Sequence, residues 1–203
     1  EPEVYEPTGF LGVDLGIVNI AYDSDGTGYT GAQLNRYRRR QQRLRRRLQA
    51  KNTASARRLL AKRRRKEARH AANTNHVIAK TIVTEAARTA RGIAVEQLTG
   101  IRDRVRLRKP QRVTWSSWSF QQLGAFLAYK ARRAGVPMIE VDPRYTSQTC
   151  ADCGHRDKRN RPNQETFHCG SCGVVAHADH NAARNIAARG VASWGAANRP
   201  HAA

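Results

Sequence analysis

The chain has 203 residues and carries 37 Lys and Arg against 16 Asp and Glu, a net charge of +21. So basic a chain calls for a polyanionic partner, nucleic acid before any other. No apolar run is long enough to span a membrane, so a membrane partner is not expected, and the only four cysteines fall in two C-x2-C pairs, which favours a metal site in a reducing compartment over a disulfide framework.

In chain order, residues 9–23, "GFLGVDLGIVNIAYD", are apolar and β-branched and predict two strands of a hairpin. "SDGTG" at 24–28 supplies turn residues. From Ala32 to Arg91 there is neither Gly nor Pro, which predicts helix broken at "KNTAS", 51–55, with Ser55 as cap of the second helix. Leu34, Tyr37, Leu44 and Leu48 form one narrow apolar seam. "GIAVEQL" at 92–98 reads as a buried strand, 101–112 as a basic loop, 117–134 as an amphipathic helix ended by Gly135, and "VPMIEVDP" at 136–143 as another strand. A cysteine module fills 145–178. A last helix is expected to run to Arg189 with Gly190 at its C′ position, followed by a tail over 191–203. Strands, a helical excursion, then strand, helix and strand predict an α/β fold on a mixed sheet with flanking helices.

Cys150-x2-Cys153 and Cys169-x2-Cys172 are separated by 15 residues, the spacing of a zinc ribbon. Two such pairs offer four thiolates to one ion and leave no open position, so the zinc expected there is structural. His155, His168 and His177 are expected to be exposed and non-ligating.

Three acids stand out from the rest. Asp14 lies inside "LGVDLG" and Glu96 inside "IAVEQL", both otherwise apolar strands, where an unpaired carboxylate costs several kcal/mol and needs compensation. Asp179 opens the last helix, where it reads either as an N-cap or as a third member of a carboxylate cluster. Hard oxygen ligands in such a cluster favour Mg²⁺ or Mn²⁺, and a pair of these ions serves phosphodiester hydrolysis. Asp23, Asp103, Asp142 and Asp152 read as turn or loop residues.

Between 36 and 69 there are 17 Lys and Arg and one acid, Glu67. Arg38, Arg39, Arg40, Arg43, Arg46, Arg47, Arg63, Arg64 and Arg65 are the candidates for phosphate contacts, which add affinity and little sequence preference. Phe120, Phe126 and Tyr129 read as packing residues. Trp115, Trp118 and Tyr145 are candidates for stacking on single-stranded bases.

Four blocks in order, "GVDLGIVNIA", "IAVEQLTGIRDR", "WSFQQLGAFLAYKARRAGVPMIEVDPRYTSQTCADCGH" and "CGVVAHADHNAARNI", resemble the transposon-encoded TnpB (OrfB) proteins, RNA-guided DNA nucleases related to the type V CRISPR effectors. The resemblance covers about residues 9–190. It implies a RuvC-like nuclease domain of RNase H fold, interrupted by a basic helical hairpin at 33–91 and a zinc ribbon at 145–178. It also implies that Asp14, Glu96 and Asp179 are the metal-binding catalytic acids and the four cysteines the zinc ligands. DNA is the expected substrate, with a guide RNA as partner of the full-length protein, in a bacterial cytoplasm and at the nucleoid. Because residue 1 is Glu and the only Met is Met138, the sequence is expected to begin within a longer protein whose N-terminal recognition half is missing. A catalytically inactive nucleic-acid-binding remnant and an unguided RNase H-like nuclease are the alternatives.

Overall fold

The computed structural model describes residues 2–16, 18–97 and 120–198. The basic loop at 101–112, Asp103, Trp115 and Trp118 lie outside the described residues.

Among the described residues, five strands form one sheet in the order β3-β2-β1-β4-β5. They are β1 (Phe10–Asp14), β2 (Asn19–Asp23), β3 (Gly28–Thr30), β4 (Gly92–Glu96) and β5 (Met138–Val141). The pairs β1–β2 and β2–β3 are antiparallel, while β1–β4 and β4–β5 are parallel. The third strand was not expected. At three residues, with Gly28 at its start, it is too short to carry an alternating pattern.

Both faces of the sheet are covered, which is why the central strands read as continuous apolar runs. Side chains of odd number in β1 and β4, Leu11, Val13, Ile93 and Val95, pack with Ile78, Ile82, Leu123 and Leu127 in the larger core. Those four come from α2 (Ala54–Arg88) and α3 (Phe120–Arg133). Side chains of even number face the other way. Phe10 and Ala94, with Val141, meet Ile186 of the last helix, α4 (Ala178–Ala197). The period of two thus assigns Asp14 and Glu96 to the α4 face.

The helix α1 (Ala32–Lys51) ends at Asn52, whose φ of 47° is the left-handed conformation that asparagine tolerates. The next helix is capped by Thr53, whose hydroxyl accepts from Ala56 N–H, and not by Ser55 as expected. The two helices fold back on each other, as Tyr37 against His70 and Arg45 against Glu67 show. Of the expected seam only Leu34 is fully buried, and Gln41 is the other buried residue of α1. In α2 the buried positions run from Ala71 to Ala86, with Ala56 alone before them. The far end of the hairpin therefore stands away from the sheet core.

The last helix does not end at Arg189. It continues through Gly190 to Ala197, so 191–197 is helix and not tail. Gly190 looks like a terminator in sequence, yet a Cβ there would lie 2.7 Å from that of Ala94 and 3.0 Å from Phe10. Glycine is present because the helix and sheet touch at that point, not because the helix stops.

Candidate active site and metal centre

The cysteine module is built on two knuckles. Thr149 bridges Arg156 around the first pair, and β6 (Thr166–His168) pairs with β7 (Val175–His177) around the second. All four sulfurs lie within 4.8 Å of one another, with Cys150–Cys172 at 3.7 Å and Cys153–Cys169 at 3.6 Å. A tetrahedron of Zn–S bonds of about 2.3 Å requires S···S separations of about 3.8 Å, so the set fits one such ion. The backbone N–H of Cys172 pushes the Cys169 thiol down to about 6, whereas Cys172, despite the N–H of Val174, is pushed up to about 12 by Cys153, burial and the other crowded sulfurs. Among the described residues no other group of three or more His, Cys, Asp or Glu is drawn so tightly together. His155 and His168 are exposed, as expected. His177 is not. Its Nδ1 accepts from the N–H of Asp179, and its ring stacks on Tyr22 at 4.8 Å. His177 is therefore the N-cap of α4, and the cap reading of Asp179 is wrong. Asp179 sits in the first turn, where the helix dipole favours a negative charge.

The three acids come together at one end of the sheet. Val13 pairs with Val95 in register, so Asp14 and Glu96 are neighbours at the C-terminal ends of adjacent parallel strands, on the α4 face. Burial raises the Asp14 carboxyl well above the usual carboxylate range, and the charges of Glu96 and Asp179 raise it further. Arg161 and the N–H of Leu15 offset this in part. Burial raises Glu96 as well, against the hydrogen bond from Thr146 and the charges of Arg189 and Arg161. The cluster is thus short of positive charge, and its donors are hard oxygens. Both properties fit a divalent cation of the Mg²⁺ class.

Each of the outer acids is held by a partner that the sequence did not reveal. Thr146 Oγ1 donates to Glu96 Oε1 at 2.5 Å, Asn19 Nδ2 to Asp179 Oδ2 at 3.1 Å, and Arg161 to Asp179 Oδ1 at 3.3 Å. Arg161 reaches the site from the cysteine module, where its side chain also bonds the carbonyl of Gln164. Two buried asparagines of α4 join that module to the helix. Asn181 bonds Ala151 N–H and the Thr149 carbonyl, and Asn185 bonds the carbonyls of Thr146 and Thr149. Only the regular polar spacing in "HNAARN" hinted at them, and it has no meaning until the partner loop is known.

On the helical hairpin, Arg39, Arg40, Arg43, Arg46, Arg47, Arg64 and Arg65 are exposed, while Arg38 and Arg63 are half-buried. Arg63 donates to the buried Gln41, and Glu67 takes Arg45, so the single acid of the stretch braces the two helices. No helix among the described residues is long and apolar enough to cross a membrane.

Residues 120–186 match the family model of the Cas12f1-like TNB domain. The chain is 44% identical over 115 residues to the CRISPR-associated endodeoxyribonuclease Cas12f1 of Sulfoacidibacillus thermotolerans, an alignment covering 56% of this chain and 26% of that protein. It is 33% identical over 112 residues to a TnpB-like protein of Methanocaldococcus jannaschii, covering 55% of this chain and 40% of the relative. In fold it resembles a Cas12f1–sgRNA–target DNA complex determined by cryo-EM, with a TM-score of 0.72 at 20% identity over 92% of this chain and 51% of that one. The matches thus span about a quarter to a half of these three relatives.

Proposed function

The chain is related to the TnpB-like and Cas12f proteins, and we propose that residues 9–190 are the nuclease unit of an RNA-guided DNA endonuclease, with a RuvC-like fold of the RNase H type. The hairpin at 33–91 and the cysteine module at 145–178 are insertions in that fold, and the module holds a structural zinc. The observation that carries this reading is the convergence of Asp14, Glu96 and Asp179 from two adjacent strand ends and a helix start. The mixed sheet order, with one antiparallel hairpin beside parallel β1, β4 and β5, supports it further.

In this reading Asp14, Glu96 and Asp179 would hold Mg²⁺ or Mn²⁺, which would supply an activated water and charge stabilisation for phosphodiester hydrolysis. The chain's own residues prepare the site. Thr146 fixes one Glu96 oxygen and leaves the other available, while Asn19 and Arg161 hold one oxygen each of Asp179. Arg161 is the one cation within hydrogen-bond reach of the acids among the described residues, placed to meet a phosphate oxygen. The exposed arginines of the hairpin hold the backbone of the nucleic acid without reading bases. Choice of target belongs to guide pairing, as in RNA-guided enzymes generally.

The test is nicking of single-stranded DNA by the purified chain, with and without Mg²⁺ or Mn²⁺, beside Asp14→Ala. Cation-dependent cleavage that Asp14→Ala abolishes is expected. Cleavage that survives Asp14→Ala would show that the acid cluster does not do the cutting, and cation-independent binding with no cleavage at all would leave a nucleic-acid-binding protein; either overturns this reading.

A further inference from the structure

Tyr145 has a backbone φ of 63°, in the left-handed region that bulky side chains rarely adopt. The turn that imposes this is well anchored. The carbonyl of Tyr145 accepts from Gln148 N–H, from Thr149 N–H and from the Thr149 hydroxyl, at 2.9–3.0 Å. Reversing the chain there sends two neighbours in opposite directions. Thr146 turns inward, 3% exposed, and holds Glu96, while Tyr145 turns outward and stays 49% exposed. A glycine would take this φ without strain. Strained side chains cluster where they touch a ligand, and the ring needs such a reason.

Its surroundings identify the ligand. The guanidinium of Arg156 lies over the ring, 4.3 Å from its centroid. The tyrosine also lines an open cleft of about 400 Å³ with Asp142, Arg144, Arg189 and Ser193. Arg189 is anchored on the Asp142 carbonyl, and its charge acts on Glu96, so the cleft adjoins the acid cluster. An exposed aromatic face among three arginines matches a ligand that has both flat apolar faces and negative charge. Single-stranded nucleic acid is that ligand, because in a duplex the base faces are already covered by their neighbours.

We propose that Tyr145, backed by Arg156, is a stacking platform for one unpaired nucleobase of the strand being cut, next to the Glu96 side of the acid cluster. The phosphates on either side of that base meet Arg144 and Arg189. This assignment rests on the nuclease reading for its words "being cut" but not for the binding itself, and the experiment separates the two.

Binding is measured on the full chain carrying Asp14→Ala, so that nothing is cleaved, using single-stranded oligonucleotides that contain 2-aminopurine, whose fluorescence is quenched on stacking. Tyr145→Phe, Tyr145→Ala and Tyr145→Gly are compared with their parent, together with duplex DNA and an oligonucleotide of abasic sites. The expected result is quenching by the parent and by Tyr145→Phe, with affinity for single strands about 5- to 150-fold lower in Tyr145→Ala and Tyr145→Gly. Affinity for duplex and for the abasic strand stays within about twofold in all four, and Tyr145→Gly melts no lower than the parent, as relief of the positive φ requires. Parental single-strand affinity in Tyr145→Gly, an equal loss on duplex and single strand, or no quenching by the parent would each overturn the platform. Failure of the chain to nick DNA would leave this result standing, and loss of the platform would leave the acid cluster standing.

Discussion

The clamp between α4 and β1 at Gly12 sets the position of Asp179, and a single methyl group tests it. A Cβ on Gly12 would lie 2.0 Å from the carbonyl oxygen of Ala183 and 2.5 Å from the amide nitrogen of Ala187. A carbon meets a carbonyl oxygen at about 3.3 Å or more, so in Gly12→Ala the two elements must separate by about 1.3 Å. Strand β1 cannot retreat, because β2 and β4 bond it on both sides. The helix has to move, and its first turn carries Asp179. Overpacking of this kind costs about 1–3 kcal/mol, which for a chain of this size lowers the melting temperature by about 2–12 °C. A shift of about 1 Å in a metal-holding or reacting group costs about 100-fold in rate. The assay is thermal unfolding beside cation-dependent nicking, with Gly124→Ala as control, since a Cβ on that glycine of α3 would meet nothing within 4 Å. Gly124→Ala should melt at or slightly above the parent and cut normally. If Gly12→Ala melts within a degree of the parent and nicks at the parental rate, the helix is not clamped at contact distance and the clamp does not position Asp179.

Four further outcomes are expected. Elemental analysis should find one zinc per chain, and Cys169→Ser should lose it together with the fold of 145–178, since a structural zinc contributes about 10 kcal/mol or more to such a module. Nicking should vanish in the same variant, because the loop that holds Glu96 belongs to that module. Without divalent ions, Asp14→Asn should melt higher than the parent at neutral pH. A carboxyl whose pKa is raised in the folded state favours folding below the unfolded pKa and loses that contribution as pH rises toward the folded pKa, about 1.4 kcal/mol for each pH unit that separates the two pKa values. The gap between the two proteins should therefore close on acidification, seen as melting temperature against pH, and Mg²⁺ should raise the parent alone. Thr146→Val should cut about 10- to 100-fold more slowly, or need correspondingly more Mg²⁺, because Glu96 loses its hydroxyl partner. Replacing Arg39, Arg43, Arg46 and Arg47 by alanine should reduce the slope of log K against log salt by about 0.7–0.9 for each phosphate left without its arginine, equally for all sequences. An unchanged slope in a salt titration would remove the hairpin from the binding surface.

What could be read in the sequence was whatever repeats locally. The two C-x2-C pairs, the apolar runs around Asp14 and Glu96, and the long stretch without Gly or Pro each carry their meaning within a few residues. The partners of the acids do not. Arg161 lies in a polar loop with no periodicity, and nothing near it in sequence says that it reaches Asp179. Asn19 and Asp179 are 160 residues apart. Two local rules also led to the wrong answer for a physical reason. Gly190 after Arg189 has the form of a helix end, but close contact with Ala94 and Phe10 is what requires it. Asp179 at the helix start has the form of an N-cap, but His177, stacked on Tyr22, satisfies the first turn of α4 with its ring nitrogen. In both cases tertiary contact outweighed a pattern that is only a local preference.

The face of the sheet that α4 covers is finished only once residues 178–197 have been made. Until residues 178–197 emerge, Phe10, Ala94 and Val141 have nothing to pack against on that side, and two of the three acids stand beside a bare apolar surface. A ribosome that stalls, or a message cut short, therefore yields a sticky and incomplete sheet that proteases and chaperones will recognise, with no third carboxylate to arm it. On the nuclease reading, hydrolytic competence is in this way tied to synthesis of α4.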